Sequence, residues 1–366
     1  MLKEEVVEIM KEKAKCNYFF EYNEDIYFSN IRFNALLCLK KESKNIEFVS
    51  FFDNEDPMIP NLHNQIIENN GKLYFIPLRG KGISIYDVNN MIMEYILLSD
   101  SEAMISGVFV VDKKLYLIPT RDTKLAVYID LDNHSVHQND ELQRALNENI
   151  NFFCDLYGCT LVGNQLIISI FNTGRLLLFD LTTLEYKYLE FGDKRFDNIE
   201  CIKSDLWITS SVGSTIYRYN NDNGIESFIL NEKKVDRQFF RICENNGFMY
   251  ALPCFGNSIY AKRVENDKWR CIDSSIPKEF HRDCEDDTLF MGIYRKEKIL
   301  HLLPKNGNGM LEMDGFGIRF IPFDIEEKEY REIMKKRKVG LFEQECRNIL
   351  YENNSCRLID YLEMVE

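Results

Sequence analysis

The stretch FIPLRGKGISIYD, Phe75–Asp87, decides the fold, because its pattern recurs along the whole chain. FSNIRFNALLCLK from Phe28, LIPTRDTKLAVYI from Leu117 and ISIFNTGRLLLFD from Ile168 align with it without gaps. So do ITSSVGSTIYRYN from Ile208, ALPCFGNSIYAKR from Ala251 and LLPKNGNGMLEMD from Leu302. All seven segments open on an apolar residue and carry Leu, Ile or Met at the ninth position. The third position holds Asn30, Pro77, Pro119, Ile170, Ser210, Pro253 and Pro304. Successive segments start 47, 42, 51, 40, 43 and 51 residues apart, a period longer than that of helical repeats such as ankyrin.

Each unit reads as strands. In the third, SGVFVV (106–111) is followed by a turn at Asp112–Lys113, then KLYLIP (114–119), KLAVYID (125–131) and an edge segment near HSVHQ. Elsewhere the first turn is YNED, ENNGK, VGNQ or ENNGF, in which Asn, Asp and Gly suit the positive φ of tight hairpins. Period-two alternation with internal Pro and Gly excludes a helical solenoid.

Seven such units resemble the β-propeller superfamily, in the broad manner of kelch, WD40 and NHL-type repeats. The Gly-His…Trp-Asp signature of WD40 and the double glycine of kelch are both absent, so no specific family is identified. The resemblance implies an all-β fold, a seven-bladed propeller of four-stranded antiparallel blades over residues 16–324. Residues 1–15 are an N-terminal extension, a helix or a ring-closing strand. Residues 325–366 have helical spacing, with Tyr330, Ile333 and Met334 on one stripe and Leu341, Phe342, Cys346, Ile349 and Leu350 on the next. This predicts a short C-terminal α-helical tail, packed on the propeller or projecting from it toward a partner.

The resemblance also implies a binding face, where the second-to-third-strand loops and the linkers between blades emerge. Two residues past the third position stand Arg32, Arg79, Arg121, Asn172, Val212, Phe255 and Asn306. Arginine thus fills equivalent positions in three consecutive blades, with Lys81, Lys124 and Arg175 close by. In a chain of net charge −14 this is a local cation excess, suited to carboxylate or phosphate, although ordinary solvated loop cations give the same pattern. Asn172, Phe255, Asn257, Asn306 and Asn308 form a neutral polar and aromatic arc, equally consistent with turn chemistry.

Two long linkers lie on the same expected face. Residues 138–153 have the makings of a helical turn, and 273–288 carry His281, Cys284 and the acidic run Glu285–Asp287. His281 and Cys284 lack a visible third group for nucleophilic catalysis, and the acidic run lacks the alternating spacing of a calcium loop. There is no G-x-S-x-G, H-E-x-x-H or phosphate-binding P-loop, and Gly80-Lys81-Gly82 is a turn rather than a dinucleotide fingerprint.

The acidic balance argues against nonspecific nucleic-acid binding. The charged N-terminus reads as neither a secretory signal nor a membrane span. Eleven scattered cysteines, with no CxxC, read as reduced thiols of a cytoplasmic protein rather than disulfide or zinc ligands. The expected function is a non-catalytic recognition or scaffold propeller, without metal or cofactor, binding a protein, peptide, glycan or anionic ligand at that face. The alternative is a lyase or hydrolase acting on an anionic carbohydrate or similar acid in the central channel.

Overall fold

The computed structural model describes residues 15–323, except 32–33, 44, 57–58, 149–155, 231–236, 255–257, 267, 273–289 and 305–308. The N-terminal extension and the tail therefore lie outside the described residues. Seven antiparallel sheets, each of four strands in sequence order, form the blades. Blade 1 spans Cys16–Ser50, blade 2 His63–Leu97, blade 3 Ile105–Gln138 and blade 4 Leu156–Glu190. Blade 5 spans Phe196–Ile229, blade 6 Phe239–Cys271 and blade 7 Phe290–Pro322. The protein is a seven-bladed β-propeller.

The repeat positions owe their character to this geometry. The first residue of every motif, from Phe28 to Leu302, is fully buried, and every ninth residue, from Leu36 to Met310, is buried too. They feed seven apolar clusters, one in each cleft between neighbouring blades. A sheet sandwiched between two others buries both its faces, so each blade is stabilised by its neighbours.

The third position has a different cause. In all seven blades it pairs with the first residue of the innermost strand, as Pro77 with His63 and Pro253 with Phe239. In each blade the register then slips at a bulge before regular pairing resumes. Proline lacks a ladder donor and is tolerated where a bulge interrupts the ladder. The third position, Pro in four blades, thus marks where each innermost strand bulges.

Five of the seven first hairpins turn on two residues of positive φ, such as Asn70 (53°) and Gly71 (79°), or Asn246 (51°) and Gly247 (78°). This is the twist-matched two-residue turn that Asn-Gly favours. The third unit departs from its expected strands in one place. Thr123–Leu125 forms a 3-10 turn, the Asp122 side chain accepting from the Lys124 amide, and the strand begins at Val127. The helical turn expected in 138–153 is a helix, Asp140–Asn147, capped by Asn139, whose Oδ1 accepts from the Leu142 amide at 3.1 Å. Leu142, Ala145 and Leu146 bury it in the cleft between blades 3 and 4.

The ring closes by packing of blade 7 on blade 1. Leu303, Met310 and Phe323 share a cluster with Phe19, Phe28 and Leu37, and Phe28 stacks on Phe323 at 5.7 Å. Lys296 and Glu21 form an ion pair across the same seam. In the cleft between blades 5 and 6, Lys262 is buried over the rings of both tryptophans, 4.8 Å from Trp207 and 5.5 Å from Trp269.

Candidate functional site

On the face of the second-to-third-strand loops, Arg79, Lys81, Arg121, Asn172 and Arg175 are described, whereas Arg32, Phe255, Asn257 and Asn306 lie outside the described residues. His281, Cys284 and the acidic run 285–287 lie outside them as well.

The blade 2 loop is built on a buried carboxylate. Glu55, in the linker from blade 1, is 5% exposed. Its Oε1 accepts from the amides of Lys81 at 2.8 Å and Gly82 at 3.1 Å and from the Tyr95 hydroxyl at 2.8 Å. Gly80 is required there, because a Cβ would stand 2.8 Å from Glu55 Oε1. While the backbone is pinned, the Lys81 side chain is exposed. Arg79 forks onto Glu102 through Nε at 3.1 Å and Nη2 at 2.9 Å, both side chains being half-exposed. Arg121 is exposed one blade further on, beside the 3-10 turn.

Blades 4 and 5 bring Asn172 and Arg175 together. Both line an open cavity of about 440 Å³ between the loop 170–175 and the linker 190–195. Arg175 pairs with Glu190 at 2.7 Å, and Asn172 accepts from the Ser211 hydroxyl at 3.0 Å. Lys194 and Arg195 line the same cavity, with Asp193, and neither cation has an acidic partner among the described residues. Sequence alignment of the loops missed these two, since they sit in a linker outside the repeat register.

Beside this cavity, Arg237 from the next linker forks onto Asp197, Nε to Oδ2 at 2.6 Å and Nη2 to Oδ1 at 2.8 Å. Its guanidinium also lies 5.5 Å from the Phe171 ring centre. Asp197 is fully buried, and that burial raises its carboxyl from 3.8 to about 6 against the opposing pull of Arg237.

The axis of the propeller holds a second cavity of about 410 Å³, lined by the innermost strands. At the exit of the bulge, blades 3, 4 and 7 carry Gly107, Gly158 and Gly292. A Cβ on any of them would strike the adjacent blade, at 2.0 Å from Cys159 Sγ, 2.5 Å from Asn198 Cα or 1.7 Å from Asn17 O. The other lining residues at this level include Tyr18, Gln65, Asn198 and Arg241. Glu200 accepts from Arg295 at 2.6 Å, and Arg241 stands 3.9 Å from its other oxygen. Arg241 Nε is buried without a hydrogen-bond partner among the described residues. Burial raises the Tyr18 phenol, opposed by the Arg241 and Arg295 charges, and pushes the Cys159 thiol up to about 12. Burial thus favours the neutral thiol of Cys159 over the thiolate.

No group of three His, Cys, Asp or Glu side chains is placed to share a metal ion among the described residues, nor is any described helix long and apolar enough to cross a membrane.

No family model and no curated protein matches the chain. Solved structures do. A streptogramin B lyase superposes with a TM-score of 0.58 at 12% identity, covering 84% of this chain and 94% of that one. Virginiamycin B lyase from Staphylococcus aureus gives 0.53 at 14%, covering 74% and 89%. The β-propeller domain of Myceliophteria thermophila Cps50 (Swd1) gives 0.53 at 8%, covering 80% and 93%. At such identities the likeness is one of fold, and it extends to lyases and to a propeller domain without distinction.

Proposed function

We propose that this protein is a non-catalytic recognition propeller, whose second-to-third-loop face binds an anionic ligand or an acidic segment of a partner protein. The observation that supports this reading is the cavity at Asn172 and Arg175. Arg175 is paired with Glu190, and Lys194 and Arg195 share the cavity lining with Asp193, which leaves the described lining a surplus of one positive charge. Lys81 and Arg121 add exposed cations on the same face, where Arg79 is paired with Glu102. Loops held by buried groups such as Glu55 lose little freedom on binding, which favours recognition over mere solvation.

The test is a fluorescence-anisotropy titration with a labelled glutamate oligomer. Wild-type protein should saturate, with affinity falling as salt rises. Replacing Arg175, Lys194 and Arg195 together by Ala should weaken binding by about tenfold or more. Equal affinity for wild type and variant would overturn the reading.

The enzymatic alternative has one observation in its favour: the Tyr18 phenol lines the channel with two guanidinium groups, Arg241 and Arg295, and the Glu200 carboxylate pairs with both. Two facts weigh against it. The raised phenol is a poor base near neutral pH, and Glu200 is held by Arg295 at 2.6 Å.

A further inference from the structure

The channel has a chemistry of its own, separate from the loop face. Blades 6 and 7 each line it with one charged side chain from the innermost strand, Arg241 and Arg295, and Glu200 from the innermost strand of blade 5 lies within ion-pair distance of both. Arg295 takes Glu200 at hydrogen-bond distance, and Arg241 is left at 3.9 Å, beyond it. The three charges sum to one positive, and Arg241 Nε is shielded from solvent with no acceptor among the described residues. A buried guanidinium N–H without an acceptor is unfavourable, and an anion supplying that acceptor relieves it. Phe20, Ile67, Val108 and Ile293 add apolar surface to the lining of the same cavity.

The geometry points to a binding site in the channel for a small amphipathic monocarboxylate, its carboxylate on Arg241 and its apolar body against Phe20, Ile67 and Val108. One negative charge balances the surplus; a dianion would overshoot it. Guanidinium matches a carboxylate in plane and in hydrogen-bond direction, and the Tyr18 hydroxyl lines the same cavity as a further donor. At about 410 Å³ the cavity is in the range of small-molecule pockets. Glu200 competes for the same guanidinium, so it sets the affinity downward.

Calorimetric titration with benzoate tests this, with benzamide as the neutral probe of the same shape. Benzoate should bind once per chain, and benzamide about tenfold more weakly or worse. Arg241→Gln should weaken benzoate by a similar factor. Glu200→Gln, which removes the competing carboxylate, should strengthen it about threefold or more. A gain cannot arise from misfolding, so it guards against a merely damaged Arg241→Gln protein. The Arg175, Lys194 and Arg195 triple variant should bind benzoate as wild type does, which separates this site from the loop face. Absent benzoate binding, equal binding of benzamide, unchanged binding by Arg241→Gln, or loss confined to the triple variant would each overturn the assignment.

Discussion

Arg237 and Asp197 form a forked ion pair, at 2.6 and 2.8 Å, in which the carboxylate is fully buried and the guanidinium is partly exposed. The pair joins the linker between blades 5 and 6 to the innermost strand of blade 5. Ser169 of blade 4 donates to the Asp197 carbonyl at 2.7 Å, so two successive blades and the linker to the next meet at this point.

Its pH dependence has a definite sign. Folding raises the Asp197 carboxyl from 3.8 to about 6, so between those values the folded chain holds a proton that the unfolded chain has released. Stability from this group is therefore fully present below about pH 4 and declines as pH rises to about 6. The displacement corresponds to about 3 kcal/mol. Denaturant titrations of wild type and Asp197→Asn across that window should show the difference moving against wild type with rising pH. A difference moving in its favour would mean that Arg237 outweighs burial and holds the carboxylate ionised.

Glu55 is expected to order the loop that carries Arg79 and Lys81. Glu55→Ala strips the acceptor from two amides and one hydroxyl, and should destabilise the fold by about 3 kcal/mol. Hydrogen exchange should accelerate at the Lys81 and Gly82 amides more than at the Ile85 amide in the same strand. Uniform acceleration along the strand would show that Glu55 supports the blade rather than the loop.

Gly292 marks the tightest approach at the ring seam, where a Cβ would stand 1.7 Å from the Asn17 carbonyl. Gly292→Ala should therefore force blades 7 and 1 apart, at about 3 kcal/mol. Gly317→Ala, whose Cβ would meet only the Asp314 carbonyl at 3.4 Å, should change stability by less than about 1 kcal/mol. Equal effects of the two substitutions, measured by urea denaturation, would contradict the close-approach explanation.

The fold was legible because burial is periodic. Each motif's first and ninth residues fill the clefts, and even the proline at the third position has one structural cause, the bulge at the innermost strand. The site was legible only in part. Asn172 and Arg175 do meet at a cavity, but the partners that decide the charge balance come from linkers of variable length: Glu102 for Arg79, and Lys194 and Arg195 beside Arg175. No repeat register reaches them. Arg241 was hidden for another reason. Every innermost strand slips at its bulge, so simple alternation misplaces which of its residues face the channel, and only pairing counted back from the hairpin turn puts Arg241 level with Gly107, Gly158 and Gly292.

The central claim, recognition through the second-to-third-loop face, is tested most directly by a hydrogen-exchange footprint of the bound glutamate oligomer. Protection is expected at residues 79–82, 121–125 and 172–175 and in the linker 190–195. Protection instead at the first hairpin turns, residues 23–24, 112–113 and 203–204, would contradict it, as would saturable binding with no protection on either face.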